Sequence, residues 1–398
     1  MAVMQRRRLL VLASTYPARA GDGTPAFVRD LAAAESSRYE TTVLVPSVPG
    51  SVGDEVDGAL DVRRFRFFPR RWEDLADGAI LENLRSRKSR WLQVPAFLLA
   101  EVLAVRRLVR SIQPDVLHVH WLIPQGLAAL VAAPRVPKLV TTLGGDLYGL
   151  RDPLSRRLIR LVLANSAAVT TMNSEMRDKL IGLGADPAAT HVLPMGADVE
   201  MIRPLAAASE RQPNRILFVG RLVEKKGATV LLAALKELGP GGYELRIVGD
   251  GPLRPQLENE AAGLPVVFLG SLGRRELAAE YGAASVAVFP SVAAASGDQD
   301  GLPVALLEAM SAGCPIVASR LPGIADAIVP GESGLLVEPG SASQIADALR
   351  SLLSDDGLRL RLGAGASTRA DSFSVSAIGG RYLELLDDIV RSAASRTT

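Results

Sequence analysis

The chain has a single cysteine, Cys314, in 398 residues, so it can form no internal disulfide, as expected of a protein kept in a reducing compartment. Cys314 precedes an apolar strand and reads as a small buried side chain rather than a reactive thiol. Histidine is nearly as scarce. Two of the three, His118 and His120, stand close together, but no further ligand cluster accompanies them and no metal centre is predicted. Neither sign of charge dominates: 45 Lys and Arg against 43 Asp and Glu leave a net charge of +2 and no general case for nucleic-acid binding. No apolar run approaches the roughly 20 residues of a membrane-spanning helix. The basic, then apolar start imitates a signal peptide, but its apolar core, Leu9 to Ala13, is short and fits a first buried strand better. Two phosphate-binding fingerprints are also missing. After Gly249 and Gly251, position 254 is Arg, so there is no Gly-x-Gly-x-x-Gly, and there is no Walker loop.

What is present is an ordinary globular composition, 48% apolar and 22% charged, long enough for two domains with separate cores. Strand (Leu9 to Ala13), helix (Phe27 to Ser36) and strand (Thr41 to Val45) alternate from the start. Short apolar strands alternating with helices predict an α/β fold with a parallel sheet covered on both faces. Around Pro194, Gly196, Pro204 and the polar stretch Ser209 to Asn214 the pattern lapses, as in a linker, and it resumes at Arg215. The expected division is 1–205, 206–375 and a closing helix, 376–398, that returns to the first domain.

The most informative stretch runs from Phe289 to Ser319: a buried strand end, a polar loop, a short helix and a second buried strand. Asp300, Gly301, Leu302 and Pro303 lead into a helix that Pro303 can begin and Gly313 can end. Gly301 lets backbone approach a ligand, and first-turn amides with the helix dipole favour an anion such as diphosphate. Glu308 follows Gly301 by seven residues, which on a helix returns it to about the same face. Taken singly, Asp300 reads as a helix cap and Glu308 as a solvated side chain. Upstream, Arg221 and Lys226 in GRLVEKKG flank a strand-to-helix loop, a pair able to clamp phosphate oxygens or to sit on a charged surface. Gly220, Gly249 and Gly270 each close an apolar strand and line one edge of the expected sheet.

In the first half, strand periodicity sets His118 and His120 on one face, a polar pair suited to facing a sugar at a strand's carboxyl end. Gly144-Gly145-Asp146 forms a turn in which Asp146 serves either the turn or a ligand, and Tyr16 lies in the first loop. Between Arg63 and Arg110, basic residues interleave with Phe65, Phe67, Phe68, Trp72 and Trp91. That mixture fits either an anionic membrane surface or a solvated helix with its aromatics turned inward.

Together these motifs resemble the retaining glycosyltransferases of family 4, the glycosyl transferases group 1. Asp300 and Glu308 match the family's acid-x7-acid signature, with Asp at a position usually Glu, and the family's Gly-Arg-x4-Lys-Gly element matches Gly220 to Gly227. The resemblance implies a GT-B fold: two Rossmann-like, doubly wound domains facing a central cleft, the acceptor on the first and the nucleotide sugar on the second. It implies Arg221 and Lys226 on the donor diphosphate, Glu308 on the ribose, Asp300 on the donor sugar, and Leu269-Gly270 beside the base with Gly249 near it. His120 is expected among the catalytic residues with Asp300, Arg221 and Lys226, while His118, Asp146 and Tyr16 fall on the acceptor or sugar side. Leu143 stands where the family commonly has a histidine near the reacting sugar. The implied function is retaining transfer from a UDP- or GDP-sugar to a hydroxyl acceptor, glycan, lipid-linked or small, without a metal cofactor, in the cytoplasm and at the inner face of the membrane where the acceptor requires it. Two alternatives stay open: a sugar-nucleotide epimerase of the same fold, and a catalytically weakened binding partner.

Overall fold

The computed structural model describes residues 6–18, 24, 26–78, 80–150, 152–295 and 297–395. The chain divides into two compact units, Met1–Met195 with Ile378–Thr398, and Gly196–Ala377.

The first unit holds an eight-stranded sheet: β1 (Arg7–Leu12), β2 (Tyr39–Pro46), β3 (Glu55–Asp57), β4 (Leu60–Phe65), β5 (Val116–His120), β6 (Lys138–Thr141), β7 (Ala168–Thr171) and β8 (Thr190–Val192). Their spatial order is β3-β4-β2-β1-β5-β6-β7-β8, and every pairing is parallel except that of the edge strand β3 with β4. Strands such as β5 and β7 are buried at every position. Helices cover both faces of a parallel sheet, so a strand such as β1 reads as a continuous apolar run from Leu9 to Leu12, while β5 and β7 bury His118, His120, Thr170 and Thr171 as well. The helix Val375–Ser395 adds its residues from Ile378 onward to this unit. The Tyr382 hydroxyl donates to the Leu193 carbonyl at 2.9 Å, and Asp387 accepts from the Tyr39 hydroxyl at 2.7 Å and from Arg38.

The second unit carries β9 (Arg215–Val219), β10 (Glu244–Val248), β11 (Val266–Gly270), β12 (Val286–Phe289), β13 (Ile316–Ser319) and β14 (Leu335–Val337), in the order β11-β10-β9-β12-β13-β14. In sequence rank this is 3-2-1-4-5-6, the Rossmann order, whose direction reverses between β9 and β12. Ligands of such sheets bind beyond the strands' carboxyl ends at that reversal.

The boundary between units falls after Met195, ahead of the expected linker. Pro204 does not break the chain there. It lies inside a helix, Val199–Ala207, whose Val199 and Ile202 are buried in the core of the second unit. Burying each such side chain contributes on the order of 2 kcal/mol, enough to commit the segment.

The basic and aromatic region divides between its two expected readings. Phe65 and Phe67 are buried, their rings 5.4 and 5.0 Å from that of Phe97 on the helix Val94–Ile112, whereas Trp72 and Trp91 are exposed. The buried face of that helix also carries Glu101, whose Oε2 has no hydrogen-bond partner and whose carboxyl burial pushes up to about 8. A folded-state pKa raised in this way costs nothing below the unfolded value near 4.5 and destabilises progressively as pH rises towards 8. Glu101→Gln is therefore expected to gain about 4 kcal/mol over wild type between pH 5 and pH 8. Urea denaturation at the two pH values reads this, and a pH-independent difference would place the carboxyl elsewhere.

Candidate active site

The loops after β9 and β12 meet at the reversal of the second sheet. Gly220 and Arg221 follow β9, a short 3-10 turn spans Glu224–Lys226, and the helix Ala228–Leu238 follows Gly227. From the other side come Pro290, Ser291 and the segment to Pro303, which caps the helix Val304–Ser311. The two loops are stitched by backbone: the Val292 N–H donates to the Lys225 carbonyl at 2.9 Å, and the Ala295 N–H to the Glu224 carboxylate at 2.8 Å.

Charge gathers where they meet. Lys226 Nζ lies 3.0 Å from Asp300 Oδ2, and Lys225 Nζ lies 3.1 Å from Asp298 and 3.9 Å from Asp300 Oδ1. The Ser291 hydroxyl donates to Asp300 Oδ2 at 2.7 Å. Burial alone would raise the Asp300 carboxyl, but Lys226, Lys225 and the Ser291 hydroxyl outweigh it and hold it below the usual carboxylate range. Burial lowers the Lys226 ammonium, Asp300 opposes that, and the positive charges of Lys225 and Arg221 reinforce it. Cations this close repel one another, a strain that an entering anion relieves.

Asp300 thus differs from the expectation that it faces sugar hydroxyls: its side chain is buried and occupied with the neighbouring lysines and Ser291. Glu308, half-buried on the helix Val304–Ser311, accepts from the Tyr281 hydroxyl at 2.9 Å. Gly301 and Leu302 precede that helix instead of opening it, so the seven-residue spacing to Glu308 is not a helical one. Pro303 is the N-cap residue, and Gly313, at φ +66°, ends the helix with the Cys314 N–H donating to the Ala309 carbonyl at 3.1 Å.

Gly220, Gly249 and Gly270 sit side by side at the carboxyl ends of β9, β10 and β11. The Gly220 N–H donates to Val248 at 3.0 Å and the Gly249 N–H to Gly270 at 2.8 Å. The need for glycine at 249 comes from the protein itself: at φ +130°, a Cβ there would stand 2.0 Å from the Gly220 carbonyl oxygen. Leu269 and Gly270 remain half-exposed at the end of β11.

The candidates of the first unit fall in two places. His118 and His120, with rings 4.3 Å apart, are fully buried at the end of β5. His118 is occupied on both nitrogens, Nδ1 2.6 Å from Glu35 and Nε2 2.8 Å from Thr141, so it is a core residue and does not face a sugar. Neither nitrogen of His120 has a partner among the described residues, and burial, with His118 adding to it, keeps the ring neutral. Asp146 is likewise committed: its carboxylate accepts from the Leu122 N–H at 2.6 Å and the Thr142 hydroxyl at 2.5 Å, tying together the loops after β5 and β6. At the end of β1, the Tyr16 hydroxyl donates to Asp57 at 2.8 Å, and Arg29 grips the same carboxylate through two nitrogens. The Tyr16 ring lines a pocket of about 260 Å³ with Ser14, Thr15, Val48 and Asp77. Gly21 and Gly23 of that loop lie outside the described residues.

Sequence reasoning missed Ser291, Lys225 and Tyr281. Lys225 was in view as the other half of Lys225-Lys226. Ser291 and Tyr281 carried no local signal, because their partners are 9 and 27 residues away. Among the described residues no group of three or more His, Cys, Asp or Glu could hold a metal ion, and no helix is long and apolar enough to cross a membrane.

Comparisons with known proteins agree with this geometry. Residues 213–355 match the family described as glycosyl transferases group 1, and residues 22–196 match a glycosyl transferase 4-like domain. The chain is 32% identical over 309 residues to the D-inositol 3-phosphate glycosyltransferase of Corynebacterium glutamicum (strain R), covering 69% of this chain and 72% of that one. In fold it is similar to a sucrose-phosphate synthase from Thermosynechococcus elongatus (TM-score 0.78, 21% identity, 97% and 100% of the two chains). It is also similar to Anabaena HepE in complex with UDP and glucose (TM-score 0.69, 19% identity, 96% and 100%). Two parallel-sheet α/β domains, a lysine-rich turn at the sheet reversal and matches along most of the chain lead to one assignment: this protein belongs to the group 1 glycosyltransferases of family 4 and has the GT-B fold.

Proposed function

We propose that the chain is a retaining glycosyltransferase that moves a sugar from a UDP- or GDP-sugar to a hydroxyl-bearing acceptor. The observation that carries this reading is the cluster of cations at the reversal of the second sheet: Lys226 and Lys225, both beside Asp300 in the loop that leads to the helix Val304–Ser311, with the charge of Arg221 acting on Lys226. Departure of a nucleoside diphosphate builds negative charge, and fixed cations with oriented amides stabilise it without rearranging at the moment of reaction. Arg221 and Lys226 take the diphosphate together with amides near Gly301 and Leu302. Asp300, itself held by Ser291, fixes Lys226 in place for that contact. Glu308, oriented by Tyr281, takes the ribose, while Gly220, Gly249, Leu269 and Gly270 border the nucleoside.

In this reading the first unit supplies the acceptor side. The pocket beside Tyr16 sets Ser14, Thr15 and Asp77 among apolar residues such as Val45 and Val48, a mixture that suits a hydroxyl-bearing molecule. His120, whose nitrogens lack partners among the described residues, serves as a neutral hydrogen-bonding group towards the sugar in place of the histidine replaced by Leu143. The lysines and arginine do the electrostatic work that a divalent ion does elsewhere. The enzyme acts in the cytoplasm, against the inner membrane face when its acceptor is lipid-linked.

The test is incubation with UDP- and GDP-sugars, with and without acceptor, scoring free nucleoside diphosphate and the anomeric configuration of the product. Acceptor-dependent release that survives EDTA is expected. Isomerised or hydrolysed sugar without acceptor would favour an epimerase, no release with any donor a weakened binding partner, and loss in EDTA restored by magnesium would overturn the metal-free mechanism.

A further inference from the structure

The helix Val94–Ile112 of the first unit buries Phe97, Glu101 and Val105 and turns its opposite face to solvent. That outer face does not carry the polar residues that water normally selects. Leu99 is 61% exposed and Leu103 54% exposed, and the preceding turn adds Trp91 at 60% and Leu92 at 76%. Exposed positions 92, 95, 99, 103, 106 or 107, and 110 follow one another in steps of three and four and trace one stripe along the helix, with 91 and 111 exposed at its two ends. The first half of the stripe is apolar. The second half is Arg106, Arg107 and Arg110, none of which forms an ion pair among the described residues; Arg106 donates only to the Val131 carbonyl, at 3.3 Å. Between Arg85 and Ile112 the sequence has one acid, Glu101, and it is buried on the other face.

A cation in the last turn of a helix complements its dipole, which accounts for Arg110. It does not account for four exposed apolar side chains upstream in register with three unpaired arginines. Contiguous apolar exposure marks a surface that meets a partner. A second copy of this chain is a poor occupant. Parallel two-fold pairing of the stripe would set three arginines against three arginines, and antiparallel pairing would press leucines onto guanidinium groups. A lipid surface satisfies both halves at once, because leucine and tryptophan enter the acyl boundary while arginines stay level with the phosphates.

We propose that the stripe Trp91, Leu92, Leu99, Leu103, Arg106, Arg107 and Arg110 is the surface by which the first unit docks on an anionic bilayer. The inference rests on the membrane side of the proposed function and names its contact. Its test reads lipid binding without donor, so either reading can fail while the other stands.

The full chain is sedimented with vesicles of phosphatidylcholine alone and of phosphatidylcholine with one third phosphatidylglycerol. Wild type is expected to partition onto the anionic vesicles and to come off in high salt. Arg106→Gln/Arg107→Gln/Arg110→Gln should lower that partition about a hundredfold, since each basic residue near an anionic surface contributes about fivefold. Leu99→Gln/Leu103→Gln should lower it as well, with the melting temperature and nucleoside diphosphate release of both variants unchanged. Equal partition of wild type and variants, binding indifferent to phosphatidylglycerol, or no binding would overturn the proposal. A dimer that Leu99→Gln/Leu103→Gln dissolves would give the face to a second copy instead.

Discussion

Lys226→Ala is expected to lower kcat by about a hundred- to a thousandfold, the range found when one preorganised donor to a developing negative charge is removed. Arg221→Ala should fall in the same range. The control concerns folding, because Lys226 is also the nearest countercharge of a buried carboxylate, 3.0 Å from Asp300. Removing one partner of such a pair costs about 3–5 kcal/mol, and Lys225 at 3.9 Å replaces only part of it. The combined variant Lys226→Ala/Asp300→Asn removes the stranded charge, so it should recover most of the lost stability while staying as inactive as Lys226→Ala. Urea denaturation and initial rates of nucleoside diphosphate release separate the two effects. Wild-type turnover in both Lys226→Ala and Arg221→Ala would take these side chains out of the mechanism.

Gly227→Ala should cost more than about 3 kcal/mol and most of the turnover. Its φ of +68° lies in the left-handed region, where a side chain alone costs on the order of 1–2 kcal/mol. Beyond that, a Cβ there would stand 1.8 Å from the Pro290 carbonyl oxygen, with no flexible side chain to give way. The loops after β9 and β12 would have to part, breaking the bond from the Val292 N–H to the Lys225 carbonyl and carrying Lys226 away from Asp300. Gly263→Ala is the matched control: φ is +82° with nothing within 4 Å of the added Cβ, so only the conformational penalty applies. Equal stability of the two variants would mean that the contact with Pro290 does not hold the loops.

Both predictions concern residues that the sequence placed in the right loops for partly different reasons. The fold class was legible because a strand covered on both faces is largely apolar, as β12 is throughout and β9 is after Arg215, and because glycine and proline punctuate the turns between elements. The helix Val304–Ser311, its stop at Gly313 and the basic loop at Arg221 and Lys226 were visible for the same local reasons. The unit boundary was misplaced because Pro204 and a polar stretch resemble a linker. Only packing shows that Val199 and Ile202 hold the helix to the second core. His118 looked like half of a polar pair, but a pattern of alternate residues gives the face of a strand and not what covers it. Glu35, 83 residues away, takes one nitrogen and Thr141 the other.

By itself, the sequence determined two α/β domains and the strand-loop-helix units around Arg221 and around Asp300, since each follows from periodicity and turn chemistry within about 20 residues. Tertiary structure alone decided which charges meet. Asp300 became the anchor of Lys226 rather than a free carboxylate, Gly249 answers to the Gly220 carbonyl, and the leucines of Val94–Ile112 were left facing solvent. The physical reason is common to all three. Whether a side chain is paired, crowded or exposed depends on groups brought close by the sheet order, and that proximity is not written in any local stretch of the chain.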